Sequence, residues 1–296
     1  MISVVGEALV DMIADGRVFT AHPGGSPANV AVGLARLGVP VALSTSIGDD
    51  LLGALLREHL AEVSLRTLDT AATSVAFAST DLDGVAAYDF RIGWDVDRVP
   101  AVEGATCLHT GSLAAALSPR AVEDAMRAAR DAGRTVSYDP NIRPSLAGAV
   151  ADERARVARQ VALADVVKAS AEDLAWLYPS VDPVFHSNEW LGRGPRLVVV
   201  TLGSRGAHAI TANTRLTRPA PQVTAVDTVG AGDAFTAGLL CVLSRSGLLG
   251  PGADPSTLDL ATALDFACTV AATTCTRAGA DPPSLAELGT AVDALP

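Results

Sequence analysis

The chain has 296 residues, 49% hydrophobic and 19% charged, a globular composition that excludes a disordered or low-complexity protein. Its 22 basic and 33 acidic residues leave a net charge of −11, which repels nucleic acid and anionic membrane, so neither is expected as a partner. Lys168 is the sole lysine and has no glycine loop ahead of it, which excludes a Walker-type NTPase and counts against lysine-based mechanisms.

In chain order, Ile2–Val5 running into residues 8–12 is apolar and β-branched and predicts a buried strand. Glu7 and Asp11 lie an even spacing apart on it and face one side. Gly24-Gly25 opens a turn, and residues 26–37 show helical spacing that stops at Gly38. Residues 41–46 read as a strand and 50–60 as a helix. From 66 to 100 the pattern changes: strand-like arms at 75–80 and 85–91 flank the turn at 81–84, a small antiparallel appendage. Strand and helix then alternate through 106–110, 119–132, 135–139, 150–163, 165–169, 171–177 and 197–201. A hairpin (207–211 with 215–218) and two long helices (231–246 and 258–275) close the chain. The alternation predicts an α/β domain with a largely parallel sheet, whose ligands sit beyond the carboxyl ends of the strands.

Cys107, Cys241, Cys268 and Cys275 form no C-x-x-C pair and sit in apolar stretches, as free thiols of a reducing cytoplasm do. The N-terminus lacks a basic n-region and no apolar run reaches about 18 residues, so neither a signal peptide nor a transmembrane span is expected. The five histidines show no metal-ligand spacing.

Asp227-Thr228-Val229-Gly230-Ala231-Gly232-Asp233 runs straight into a helix. Its glycines let the backbone approach a ligand, and the amides of Gly230 to Asp233 point out of the helix N-terminus, a ready anion site. Asp233 on the first turn adds a carboxylate. Amides that hold a moving phosphoryl group, beside a carboxylate that takes a proton from an attacking hydroxyl, would make a phosphotransfer site, and the glycine bracket favours that over a first-turn Asp that merely complements the helix dipole. Gly24-Gly25-Ser26-Pro27-Ala28-Asn29 allows close approach to a small polar ligand, with Asn29 able to donate and accept, and would serve equally as an ordinary Ser-Pro helix start. Asp139-Pro140-Asn141-Ile142-Arg143 offers an anion-binding arginine or a surface ion pair. Thr201-Leu202-Gly203-Ser204-Arg205-Gly206 passes under a nucleotide or merely connects a hairpin.

In this order, GGSPANVAVGLARLG, TLGSRG and DTVGAGDAFTAG resemble the ribokinase-like (PfkB) family of carbohydrate kinases, over essentially the whole chain. The resemblance implies a three-layer α/β sandwich, one domain over 1–296, with a mostly parallel central sheet flanked by helices. It also implies a small β lid, expected at 66–100 with a contribution from 12–20. It implies ATP as co-substrate and Mg2+ as cofactor. Asp233 would be the base, and the amides of Gly230, Ala231 and Gly232 the anion hole. Asp11, Gly24, Gly25 and Asn29 would contact the sugar, with Arg91 on a lid strand as a further contact. Asn141, Arg143, Thr201, Gly203, Gly206 and Gly232 would serve the nucleotide and its phosphates. YDPNIRPSL resembles the D-x-N-x-R stretch of fructokinases and 2-keto-3-deoxygluconate kinases, and VKASAEDLAWLYP and TCTRAGADPP resemble bacterial fructokinases, which favours D-fructose, phosphorylated at its primary hydroxyl. A departure is Ser170-Ala171-Glu172-Asp173, where many members carry N-x-x-E near Mg2+; Asp173 would replace the glutamate through water. Asp227 and Val229 match part of a monovalent-cation site, implying K+, with carbonyls from 274–279. Family members often pair through the lid, so a homodimer is expected.

The runner-up is a 2-keto-3-deoxygluconate kinase, whose carboxylate substrate needs an extra cation, with Arg91 as candidate. A ribokinase-type or nucleoside kinase fits the D-x-N-x-R stretch less well. A non-catalytic sugar sensor is disfavoured by the intact Asp233, and a Rossmann oxidoreductase by the missing G-x-G-x-x-G after the first strand.

Overall fold

The computed structural model describes residues 1–68, 70–80 and 86–296. The first half of the chain forms β1 (Ile2–Val5), β2 (Leu9–Asp15), β3 (Val18–Gly24), α1 (Ser26–Arg36), β4 (Val41–Ser46), α2 (Leu51–His59), β5 (Ser64–Leu68), β6 (Ser74–Thr80) and β7 (Ala86–Arg91). Then come β8 (Cys107–Gly111), α3 (Ser112–Leu117), α4 (Pro119–Asp131), β9 (Thr135–Asp139), α5 (Val150–Leu163), β10 (Val166–Ser170), α6 (Ala171–Leu177) and α7 (Pro183–Leu191). The chain closes with β11 (Leu197–Thr201), β12 (Ala207–Ile210), β13 (Arg215–Arg218), α8 (Ala231–Arg245) and α9 (Leu260–Cys275).

Nine strands form one sheet in the order β13-β12-β11-β10-β9-β8-β1-β4-β5, with β12 antiparallel to its neighbours and the other pairings parallel. Period-2 alternation sends its side chains into two cores. Ile2, Val4, Leu43, Val166 and Val199 pack with residues of α1, α8 and α9. Val5, Leu108, Val136, Val167 and Val200 pack with Val122, Val157 and Trp190 of α4, α5 and α7. Both faces are covered, which is why these strands read as continuous apolar runs.

The small sheet has the order β3-β2-β6-β7, β2 and β6 being parallel and the outer pairs antiparallel. Its extent corrects the expectation. It draws on 9–24, 74–80 and 86–91, while Ser64–Leu68 pairs with β4 in the large sheet. The strand expected to run through 12 breaks at Gly6–Ala8, so β2 leaves the large sheet for the small one. The expected turn at 81–84 lies outside the described residues. Helices α3 and α7 were not expected. The α3 segment is short and enters through Ser112 at φ 52°, and Pro183–Leu191 has a weak apolar stripe. Among the described residues no helix is long and apolar enough to cross a membrane.

Candidate active site

The expected residues converge at the carboxyl ends of the large sheet. Gly230 caps α8 in the left-handed region (φ 74°), and a Cβ there would lie 2.5 Å from that of Ala280, so the turn requires glycine. The helix has no side-chain cap, and its first amide, Ala231 N, donates to the Thr228 carbonyl at 3.3 Å. Asp233 sits in that turn, 7% exposed. Its carboxylate accepts from Ser26 Oγ at 2.7 Å and Asn29 Nδ2 at 2.8 Å, both on α1. The N-termini of α1 and α8 therefore meet at one carboxylate. Asn29 Oδ1 is buried without a protein partner, an acceptor left for a ligand hydroxyl.

Asp11, on β2, faces the same place. Burial pushes its carboxyl up to about 6, with Arg143 and His22 pulling it down and Asp233 raising it. A Cβ on Gly24 would sit 2.2 Å from Asp11 Oδ2, so only a bare backbone lets that carboxylate lie there. Gly25 adopts φ 99° against the Glu7 carbonyl. Glu7 itself is withdrawn from the site. It lies in the break between β1 and β2, not on one strand with Asp11, and accepts from the amides of Leu113 and Ala114 at the start of α3.

A cleft of about 900 Å3 opens beside this cluster. Asn141, Arg143, Asp173, Thr201, Gly203 and Gly206 line it, with Ala231 and Gly232 at its floor. Asn141 takes φ 38°, which turns the 139–143 loop back so that Arg143 donates to the Asn141 carbonyl. Phe235, Ala271, Ala272, Pro221 and Val223 make the far wall apolar.

Lys168 is the residue that sequence reasoning missed. It stands in the middle of β10, and a Cβ placed on Gly232 would lie 3.1 Å from its Nζ, so the ammonium sits against the first turn of α8. It donates to Asp139 Oδ2 at 2.8 Å, the two side chains 6% and 3% exposed. Burial works against its charge, but Asp139, with Asp233 and Asp173 beyond, outweighs burial and raises its pKa. Such a buried pair is weak evidence for stability and better explained by use. The available signal was that a chain otherwise using arginine keeps one lysine, inside an apolar strand. The neighbouring His109 is held neutral, burial lowering it to about 3.

One expected position falls elsewhere. Arg91 pairs with Val75, and Val75 with Val10, so Arg91 stands on the sheet face opposite Asp11, Ala76 and Phe90. Its guanidinium is 66% exposed and pairs with Asp89. The parity of β7 thus turns it away from the sugar cluster, against the expectation. Asp173 lies at the cleft but is engaged. Its oxygens accept from Ile142 N at 2.8 Å and from Ser170 N and Oγ at 3.0 and 2.8 Å, a capping box that ties α6 to the 139–143 loop. Asp227 accepts from Val229 N and Gly279 N, which brings the 227–230 turn against Gly279.

No group of three or more acidic, histidine or cysteine side chains able to hold a metal occurs among the described residues. Glu172 and Asp173 line the cleft, and Asp139 lies behind it in the pair with Lys168.

A sequence profile described as pfkB family carbohydrate kinase matches residues 1–287. A fructokinase of Rhizobium leguminosarum bv. trifolii is 36% identical over 266 residues, covering 84% of this chain and 81% of the relative. The structure of fructokinase with bound ATP from Xylella fastidiosa superposes with a TM-score of 0.84 at 30% identity, over 99% of this chain and 98% of that one. A double mutant of the Vibrio cholerae O395 fructokinase, solved with fructose, ADP and potassium ion, gives 0.80 at 30% identity, over 97% and 96%.

Proposed function

The chain belongs to the pfkB family of carbohydrate kinases, and from that premise we propose that it transfers the γ-phosphoryl of ATP to the primary hydroxyl of D-fructose. The observation that carries the reading is the placement of Asp233, between the cleft and the Asp11–Asn29 cluster, in the first turn of an uncapped helix. The fructokinases named above support the choice of sugar.

In this reading the nucleotide base lies against the apolar wall and its phosphates reach the amides of Ala231 and Gly232. Asp11 and the Asn29 carbonyl accept from sugar hydroxyls. Asp233 takes the proton of the primary hydroxyl as that oxygen bonds to the γ-phosphorus, and the bond to the bridging oxygen breaks to release ADP. Lys168 and Arg143 stabilise the charge that builds on the transferred group. Mg2+, held by the phosphates with Asp139 or Asp173 behind water, would supply further charge neutralisation. K+ is proposed at Asp227 and the 274–279 carbonyls. The small sheet acts as a lid, through which two chains would pair.

A neutral polyol is favoured over the keto acid by charge. The sugar end carries Asp11 and Asp233, and Arg91 faces away from it. The test is ADP release with Mg-ATP against fructose, 2-keto-3-deoxygluconate, ribose and adenosine, repeated without K+ and with EDTA. Fructose-dependent turnover is expected, lost with EDTA and reduced without K+. Asp233→Asn should bind both substrates and lose roughly 10²-fold or more in kcat. Turnover with the keto acid alone would reject fructose, and near-normal turnover of Asp233→Asn would reject the base.

A further inference from the structure

Serine at a helix start usually serves as the N-cap, its oxygen accepting from the amides one turn on. Ser26 stands one position late for that. The N-cap of α1 is Gly25, and the helix has no side-chain cap. The Ser26 hydroxyl is directed instead across 207 positions of sequence to Asp233 Oδ1, at 2.7 Å. Both residues are only 7% exposed, so water competes little for the bond. An ionised carboxylate only accepts, so the hydroxyl donates.

Asp233 can turn about its Cβ–Cγ bond, and a carboxylate turned the wrong way offers its lone pair away from the substrate. One donor per oxygen removes that freedom: Ser26 takes Oδ1 and Asn29 takes Oδ2. Each oxygen keeps a second lone pair for the cleft. Asn29 has a second task, because its own Oδ1 is buried and open to a ligand hydroxyl. A sugar that bonds there pulls on the Asn29 amide, and Ser26 is then the donor that holds the carboxylate plane.

We infer that Ser26 is a positioning residue for the base, its hydroxyl fixing the Asp233 carboxylate so that one lone pair meets the primary hydroxyl of the sugar. The inference rests on the reading of Asp233 as base. It acts through Asp233 alone, so it belongs to the chemical step and not to sugar or nucleotide affinity.

The experiment compares Ser26→Ala, Ser26→Thr and Ser26→Val with Asp233→Asn, all in the full chain, by ADP release with Mg-ATP and fructose. Thr and Val differ at this site by a hydroxyl against a methyl, so that pair isolates the hydrogen bond from any change in packing. Ser26→Ala and Ser26→Val should lose roughly 5- to 50-fold in kcat, the scale of a hydrogen bond to a charged group. KM for fructose and for ATP should stay within about twofold, and Ser26→Thr should keep most of the activity. Equal kcat in the Thr and Val variants would overturn the inference. So would a rise in the KM for fructose that accounts for the loss, since that marks a sugar contact. Asp233→Asn separates the two readings. If it is inactive while the Thr and Val variants are equal, only the role of Ser26 fails; if it turns over normally, the base reading fails and Ser26 with it.

Discussion

Asp11 carries a cost that its function explains. Burial pushes its carboxyl up to about 6 from the ordinary aspartate value of 3.8. The folded protein therefore holds this proton more tightly than the unfolded chain does. The stability so contributed is present below 3.8 and is lost as pH rises through about 6. At pH 7.5 the ionised group costs about 1–3 kcal/mol, from about 1.4 kcal/mol per pKa unit. Asp11→Asn should accordingly stabilise the free protein by that amount in denaturant melts at pH 7.5 while losing sugar binding. The same titration predicts that kcat/KM for the sugar falls as pH drops through about 6, because a protonated Asp11 no longer accepts from two hydroxyls. A profile flat from pH 7 to 5 would remove Asp11 from the sugar site. Lys168 shows the limit of reading residues singly. Its scarcity argued against lysine chemistry, yet the pairing of β9 with β10 sets its ammonium beside Asp139 and the helix start.

At the scale of elements, α1 and α8 are the parts that bring Ser26 and Asn29 to the Asp233 carboxylate. They run side by side with both N-termini at the site, and a Cβ on Gly33 would lie 2.7 Å from that of Ala237. That contact is too short for two methyl groups, so the helices approach this closely only because position 33 is glycine. Gly33→Ala should push them apart, cost about 1–3 kcal/mol of stability as overpacking does, and lower kcat by drawing Ser26 and Asn29 off Asp233. Gly148→Ala, at an exposed glycine with open space around it, should change neither. Chemical melts and turnover of the two variants check this together. Element identity was largely legible. The strands 41–46 and 197–201 and the helices 150–163 and 171–177 stand where apolar periodicity put them, because each is decided by its own residues. The boundary between the sheets was not legible. Residues 2–12 form one apolar run, and only the pairing partners assign Ile2–Val5 to one sheet and Leu9–Asp15 to the other.

For the whole molecule, the small sheet presents apolar side chains to solvent at its β2–β3 end. Ile13 is 47% exposed, Val18 66% and Phe19 50%, with Phe19 edge-on to Phe77. Surface of this kind wants cover. Light scattering is expected to find twice the 30.1 kDa chain mass, and the double variant Val18→Asp/Phe19→Asp to restore the single mass. A wild-type monomer at micromolar concentration would reject pairing through the lid. The sequence by itself determined the α/β alternation, the glycine turns and the acidic helix start, since these depend on residues adjacent in the chain. Tertiary structure alone decided that Arg91 faces away from the sugar, that Glu7 caps α3, and that Ser26 and Lys168 belong to the site. Those outcomes depend on strand parity and on contacts spanning 29 residues for Asp139 with Lys168 and 207 for Ser26 with Asp233. Local spacing carries no information about them, because a side chain's direction is known only once its strand or helix has found its neighbours.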